Sequence, residues 1–136
     1  MRRACQWTVA VLLVAGCAGG PAGQAASPGA IGRMTAADAR TFIAAHPEAL
    51  VLDVRNPDEW DDQYGHIDGA RQIPLPELSS RVAEVESWKD KPVVLVCRSG
   101  RRSQTAAELL HGAGYRQVFN LEGGMVAWRE SERAKR

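Results

Sequence analysis

The sequence predicts an α/β domain with a parallel sheet, and three observations support this fold class. The chain has 136 residues, 45% hydrophobic and 24% charged, which suits one domain with an apolar core. From about residue 31 onward, helix signals alternate with strand signals. Two of the strand signals are continuous apolar runs, as expected where both faces of a strand are buried.

The first half of this region contains two helix signals and two strand signals. Thr35 is placed to cap a helix that runs to Ala45, since an acidic residue follows three positions later. Residues 49–54 form an apolar run that predicts a buried strand. Asn56, followed by a proline, predicts the start of a short helix. Residues 65–73 predict a turn and a short strand.

The second half continues the alternation. Residues 78–88 have helical spacing, and residues 93–96 are the clearest buried strand of the chain. A helix is predicted over residues 103–111, where glycines follow its end. Residues 116–120 predict another strand. Residues 123–131 predict a last amphipathic helix.

The first 16 residues have the features of a secretory signal peptide. Arg2 and Arg3 precede a short apolar run over residues 8–15, which is far shorter than the roughly 20 residues that span a bilayer. The segment ends in Val-Ala-Gly-Cys, which resembles the lipobox of bacterial lipoproteins and implies lipidation at Cys17. The alternative is a plain secretory signal in which Cys17 has no role.

Residues 17–30 are rich in Gly, Ala, Pro and Ser and predict a flexible tether between a lipid anchor and the domain. The resemblance implies a cell-envelope protein that a lipid holds in the membrane. Because no Asp follows Cys17, it further implies the outer membrane, with the domain facing the periplasm. The folded domain is expected over residues 31–132, with a tail at 133–136.

The cysteine count limits the chemistry. The chain has three cysteines, Cys5, Cys17 and Cys97. If the first leaves with the signal peptide and the second carries lipid, Cys97 is the only free thiol. This excludes an internal disulfide, a dithiol mechanism and a multi-cysteine zinc site; the sequence indicates no metal and no organic cofactor. The net charge of +1 without a long basic run gives no indication of nucleic acid binding.

The segment after the clearest strand is the candidate site, because ligands of parallel sheets bind beyond the carboxyl ends of the strands. It consists of Cys97, Arg98, Ser99, Gly100, Arg101, Arg102 and Ser103. Gly100 permits a left-handed turn, which would aim successive backbone N–H groups inward as an anion-binding nest. The following helix adds the partial positive charge of its N-terminus. Three arginines lie near the sulfur. These features predict a stabilised thiolate at Cys97.

The magnitudes show which effects such a thiolate needs. Lowering a thiol pKa by about two units takes roughly 2.7 kcal/mol. A helix terminus supplies about 0.3–1 kcal/mol, and about 2 in a favourable site. We therefore expect the loop amides and at least one arginine to contribute. Two alternatives remain: Cys97 as an inert buried thiol, and the arginines as a solvated surface cluster.

The loop and three further blocks resemble rhodanese (thiosulfate sulfurtransferase) domains. The other blocks are residues 52–55 with 59–60, residues 65–70 with 73–74, and residues 121–124 with 127–128. Each block alone is weak evidence, but four in the family's order are specific. The resemblance implies about five parallel strands with helices on both faces.

The resemblance also implies a reaction. The Cys97 thiolate would take the outer sulfur of a small anion such as thiosulfate, and the resulting persulfide would pass it to a thiol or to cyanide. Asp53 and Arg55 lie at the end of a predicted strand and are placed to brace the loop. A structural ion pair is the favoured interpretation of both residues.

Two other functions remain open. Related phosphatases of the same fold carry an arginine six positions after the cysteine, where this chain has Ser103, so phosphate-ester or arsenate substrates are disfavoured. The domain could instead be a non-catalytic binding module or sulfur carrier at the cell envelope. The presence of Cys97 argues against the non-catalytic alternative. The oligomeric state does not follow from the sequence.

Overall fold

Five parallel strands form one sheet in the computed structural model, which describes residues 29–136. The elements are β1 (Gly32–Met34), α1 (Ala36–Ala45), β2 (Leu50–Asp53), β3 (Arg71–Gln72), α2 (Leu75–Arg81), β4 (Pro92–Val96), α3 (Arg101–Gly112), β5 (Gln117–Leu121) and α4 (Gly124–Arg133), with 3-10 helices at Pro57–Glu59 and Val82–Trp88. The strand order is β1-β5-β4-β2-β3, and every pair is parallel. The predicted fold class is confirmed.

Some predictions concern residues that the structure does not describe. These are the signal peptide over 1–16, lipidation at Cys17 and nearly all of the tether over 17–30, and they stay predictions. Within residues 29–136, no helix combines the length and the apolar character that crossing a membrane requires.

Two of the predicted helix starts have the capping that the sequence indicated. The Thr35 hydroxyl accepts a hydrogen bond from the Asp38 N–H at 3.2 Å and donates one to the Asp38 carboxylate at 2.8 Å. At the 3-10 helix Pro57–Glu59, the Asn56 N–H donates to the Glu59 carboxylate at 3.0 Å. Each start therefore satisfies backbone groups that a helix leaves unpaired.

Other boundaries differ from the prediction. The helix predicted over 78–88 begins earlier, at Leu75. Pro76 is tolerated in its first turn, because backbone N–H groups there have no partner within the helix and the missing N–H breaks no hydrogen bond. From Val82 onward it continues as a 3-10 helix. The helix predicted from Ser103 begins at Arg101, because Gly100 at φ +96° reverses the chain just before it.

Strand β1 was not predicted individually. It has only three residues, of which Met34 alone is buried, so its pattern carries no strand signal. It forms because the backbone of Gly32–Met34 pairs with the exposed edge of β5, in register with Phe119 to Leu121. Tertiary pairing therefore creates this edge strand.

The core has two layers, one on each face of the sheet. One face packs against α2, the adjoining 3-10 helix and α3 through Leu52, Val54, Ile73, Leu78, Val85, Val93, Leu95, Ala106 and Leu110. The other packs against α1 and α4 through Met34, Ala39, Val51, Val94, Val96, Phe119, Leu121, Met125 and Trp128. Because both faces of β2 and β4 are covered, every residue of these strands is buried, as their apolar runs predicted.

Candidate functional site

The loop from Cys97 to Gly100 lies at the carboxyl edge of the sheet, between the central strand β4 and α3. The N-terminus of α4 supports it from behind. The Met125 N–H donates to the Cys97 carbonyl at 2.9 Å, and the Val126 N–H donates to the Arg98 carbonyl at 3.2 Å. Gly124 makes this approach possible, since a Cβ there would overlap the Cys97 carbonyl and lie 2.6 Å from the Arg98 carbonyl carbon.

The Cys97 sulfur lies at the floor of the loop, with only 1% of the residue exposed. The Gly100 N–H donates to the sulfur at 3.0 Å, and the Ser103 hydroxyl lies 3.3 Å from it. Burial acts to raise the pKa of the thiol. Hydrogen bonds from the Ser103 hydroxyl and from the amides of Ser103, Gly100 and Ser99 act against burial, and the pKa of Cys97 lies below its ordinary value.

The three loop arginines do not act together on the sulfur. Arg102 binds Glu59 through two short contacts of 2.6 and 2.7 Å, in the bidentate geometry that suits arginine and carboxylate. This ion pair holds the pKa of Glu59 at about 2. The Arg98 guanidinium lies 5.4 Å from the centre of the Tyr64 ring, and Arg101 is exposed.

The expectation that at least one arginine shares in lowering the thiol pKa therefore needs refinement. The largest lowering effects are hydrogen bonds from the Ser103 hydroxyl and from loop amides, as the predicted nest requires. Arg102 interacts with the Cys97 sulfur through charge alone, while its donors bind Glu59. Arg98 and Arg101 are exposed at the loop.

Asp53 and Arg55 form a buried ion pair at the end of β2. The Arg55 guanidinium is 0% exposed and contacts the Asp53 carboxylate at 2.7 Å. It also donates to the carbonyls of Glu59 and Gly65, each at 2.8 Å. These contacts fix the segment after β2 and, through Glu59, the position of Arg102. The geometry favours a structural ion pair that supports the loop indirectly.

Two functional neighbours were missed. Asn120, on β5, accepts from the Ser103 hydroxyl at 2.6 Å and donates to the Gly100 carbonyl at 3.1 Å. Its signal was a polar residue within the buried part of a strand next to β4. Glu59 belonged to a recognised sequence block, but nothing in the sequence pointed to its pairing with Arg102. The partner lies 43 residues away along the chain.

Other candidate residues serve packing. The His66 ring stacks on Trp60 with a centroid distance of 4.1 Å. Trp128 is buried in the core, under the guanidinium of Arg40. Across the part of the chain that the structure describes, no group of three His, Cys, Asp or Glu side chains is arranged to hold a metal ion.

The fold is therefore a parallel α/β sheet that carries a buried, hydrogen-bonded cysteine at its carboxyl edge, where ligands of such sheets bind. The family model for the rhodanese-like domain matches residues 35–131. The chain therefore belongs to the rhodanese-like domain family.

The curated relatives include proteins named for sulfur transfer. A sulfurtransferase of Allochromatium vinosum is 40% identical over 86 residues, which cover 63% of this chain and 77% of that protein. The uncharacterized protein YqhL of Bacillus subtilis is 41% identical over 95 residues, covering 70% of this chain and 72% of YqhL. The probable adenylyltransferase/sulfurtransferase MoeZ of Mycobacterium tuberculosis is 35% identical, and the match spans only 24% of its length.

Solved structures agree. A rhodanese-related protein of Thermoplasma volcanium matches with a TM-score of 0.64 and 35% identity, over 74% of this chain and 92% of that one. A thiosulfate sulfurtransferase of Pseudomonas aeruginosa also matches with a TM-score of 0.64, at 28% identity. That match covers 74% of this chain and 19% of the other. Family and relatives together support sulfur transfer as the general activity.

Proposed function

We propose that this protein transfers a sulfane sulfur from a donor such as thiosulfate to a thiol or cyanide acceptor, through a persulfide on Cys97. The observation that carries the proposal is the hydrogen bonding of the sulfur, at 3.0 Å from the Gly100 N–H and 3.3 Å from the Ser103 hydroxyl. These donors favour the thiolate, which is the nucleophilic form of cysteine. An inert core thiol has no need of them.

The first half-reaction forms the persulfide. The Cys97 thiolate attacks the outer sulfur of thiosulfate, the sulfur–sulfur bond of the donor breaks, and sulfite leaves with the bonding electron pair. The exposed Arg98 and Arg101 are placed to attract the dianionic donor. Because only 1% of Cys97 is exposed, the donor must present a narrow, terminal sulfur atom to the floor of the loop.

The second half-reaction returns the enzyme to its starting state. An acceptor thiolate or cyanide attacks the outer sulfur of the persulfide, and the bond between the two sulfurs breaks. Cys97 leaves with the electron pair as a thiolate, which the loop donors again stabilise. Splitting the transfer in this way requires only one nucleophilic side chain and neither a metal nor an organic cofactor.

Phosphate-ester hydrolysis is a weaker candidate. Position 103, where the related phosphatases carry an arginine, holds a buried serine that lies against the sulfur. The preceding Arg102 is occupied by Glu59. Neither position 102 nor position 103 therefore offers a guanidinium to an esterified phosphate without rearrangement, which leaves only the exposed Arg101 at the start of α3.

The test uses the purified full chain, in detergent if it carries lipid, and measures thiocyanate formed from thiosulfate and cyanide. We expect activity in the wild type and none in Cys97→Ala. Without an acceptor, thiosulfate should release one equivalent of sulfite, and mass spectrometry should find one added sulfur atom on Cys97. Absence of both products in a folded protein refutes the proposal, and hydrolysis of a phosphate ester instead would favour the phosphatase function.

A further inference from the structure

The Ser103 hydroxyl lies between two acceptors. Its oxygen is 2.6 Å from Asn120 Oδ1 and 3.3 Å from Cys97 Sγ, and the residue is 0% exposed. A hydroxyl carries one proton, so it can make one strong donor hydrogen bond at a time. The contact with Asn120 is short even for an O–H···O hydrogen bond, so the proton points toward Asn120 when the sulfur carries no charge.

The Asn120 amide is held in one orientation. Its Nδ2 donates to the Gly100 carbonyl at 3.1 Å and to the Gln104 side-chain oxygen at 3.2 Å. Rotating the amide by half a turn would place Oδ1 against the Gly100 carbonyl, where neither oxygen has a proton to share. Asn120 Oδ1 therefore faces Ser103 and acts there only as an acceptor.

We propose that Asn120 is a positioning residue that competes with the Cys97 thiolate for the Ser103 proton, so that this hydroxyl rotates toward the sulfur whenever the sulfur is negatively charged. In the thiol form, the S–H donates to Ser103 Oγ and the Ser103 O–H donates to Asn120. On ionisation the thiol proton passes to solvent, and the hydroxyl turns about its Cβ–Oγ bond. Only the S–H bond breaks.

The competition has an energetic consequence. When the hydroxyl turns to the thiolate, Asn120 Oδ1 loses its donor at a site that is 5% exposed, where an unpaired acceptor is costly. Asn120 therefore makes the thiolate less stable than Ser103 and the loop amides alone would make it. It also draws the Ser103 hydroxyl back to Asn120 Oδ1 once the charge leaves the sulfur.

In the sulfur-transfer cycle proposed above, this rotation has a role. That role rests on the proposed function, whereas the rotation itself does not. In the free enzyme the charge is on Cys97 Sγ, and in the persulfide it is on the outer sulfur. Formation of the persulfide therefore releases the Ser103 hydroxyl to Asn120, and regeneration of the thiolate draws it back to the sulfur. The hydroxyl follows the charge through both half-reactions.

No charged side chain takes part in the exchange of the Ser103 hydrogen bond between Asn120 and Cys97. Ser103 and Asn120 hydrogen-bond to neutral groups and to the sulfur itself. The charged residues near the loop are Arg98, Arg101, Arg102, Glu59, Asp53 and Arg55. Substitutions at position 120 that keep the side chain neutral leave all of these charges in place.

The test titrates the thiol in the full chain with Cys5 and Cys17 replaced by serine. The thiolate fraction is measured by its ultraviolet absorbance at a pH below the Cys97 pKa, against a Cys97→Ala blank. Asn120→Leu removes the competing acceptor at similar volume, and we expect it to raise the thiolate fraction about threefold to tenfold. Asn120→Asp offers a stronger, charged acceptor and should lower it. In a Ser103→Ala background, Asn120→Leu should have no effect.

These outcomes separate competition from a merely structural role. Loss of loop order would move the thiolate fraction in the same direction for Asn120→Leu and Asn120→Asp, and that result overturns the proposal. So does an unchanged effect of Asn120→Leu in the Ser103→Ala background. Gln104→Leu removes one of the two acceptors of the Asn120 Nδ2 group, keeps the other, the Gly100 carbonyl, and should change nothing. An effect equal to that of Asn120→Leu would also refute competition. Asn120→Ala serves if the leucine variant does not fold. No sulfur donor is present, so the result is independent of the proposed function.

Discussion

Replacement of Gly124 by alanine tests how rigidly the first turn of α4 supports the loop from Cys97 to Gly100. The added Cβ would overlap the Cys97 carbonyl and lie 2.6 Å from the Arg98 carbonyl carbon. The backbone at φ +55° adds roughly 1–2 kcal/mol of strain for a residue with a side chain. Relieving the overlap requires the helix to retreat, which weakens the hydrogen bonds from Met125 and Val126, each worth about 1 kcal/mol. We expect a total loss of about 3–4 kcal/mol.

Gly114→Ala is the matched control. Gly114 also has a positive φ, +92°, but nothing lies within 4 Å of a Cβ built there, so it should show the backbone strain alone. Urea unfolding gives both losses, and thiocyanate formation gives the activity. We expect Gly124→Ala to lose about 2 kcal/mol more than the control and to be much less active, because the Cys97 carbonyl must move. Equal losses of unfolding free energy in the two variants would show that α4 can shift at little cost and that the loop does not depend on its position.

Three further substitutions test the ion pairs and the N-terminal segment. The hydrogen bonds from Arg102 lower the pKa of Glu59 from 4.5 to about 2, so this pair stabilises the fold fully above about pH 4.5 and progressively less as the pH falls toward 2. Urea unfolding should therefore show Glu59→Gln destabilised most at neutral pH, by at most about 3 kcal/mol and by less after solvent screening, with the gap closing in acid. Asp53→Asn leaves the buried Arg55 guanidinium with only the more distant Asp62 carboxylate, at 3.6 Å, and should cost about 3 kcal/mol in the same measurement. Cys17→Ser should abolish incorporation of labelled palmitate by bacteria that express the chain.

Controls distinguish these effects from general damage. Asp58→Asn removes a neighbouring exposed carboxylate and should leave stability nearly unchanged at every pH. A Glu59→Gln gap that persists unchanged at pH 3 would contradict the assignment of the low pKa to the Arg102 pair. A loss below about 1 kcal/mol for Asp53→Asn would contradict a dominant role of the Asp53 pair and mean that Asp62 or solvent compensates the Arg55 charge. Labelling that persists in Cys17→Ser would mean that palmitate is attached to another residue, which contradicts lipidation at Cys17.

The parts of the fold that were predictable are those that short sequence windows specify. The apolar runs of β2 and β4, the capping by Thr35 and the glycine turn at Gly100 each depend on neighbouring residues. Strand β1 depends on the edge of β5, more than 80 residues away along the chain, so its own three residues carry no signal. The same applies to the pairing of Glu59 with Arg102. Sequence identified the residue types at the site but not which of them bind one another.

The long-range contacts explain why the position of three arginines beside a cysteine does not predict which group each arginine binds. Counting charges on the loop predicted a shared cationic field, yet Glu59 binds the donors of Arg102 and Tyr64 lies beneath Arg98. The sulfur instead receives its short contacts from a backbone amide and a hydroxyl, which cannot be removed by a counter-ion or screened by salt in the way exposed charges are. We therefore expect hydrogen bonds from amides to preserve the thiolate fraction of Cys97 across ionic conditions, and the exposed Arg98 and Arg101 to affect how fast the proposed anionic donor arrives. Raising the salt concentration should therefore reduce kcat/KM for thiosulfate with little effect on the thiolate fraction of Cys97. If salt lowered kcat/KM and the thiolate fraction of Cys97 equally, the arginines would stabilise the thiolate, as the sequence predicted.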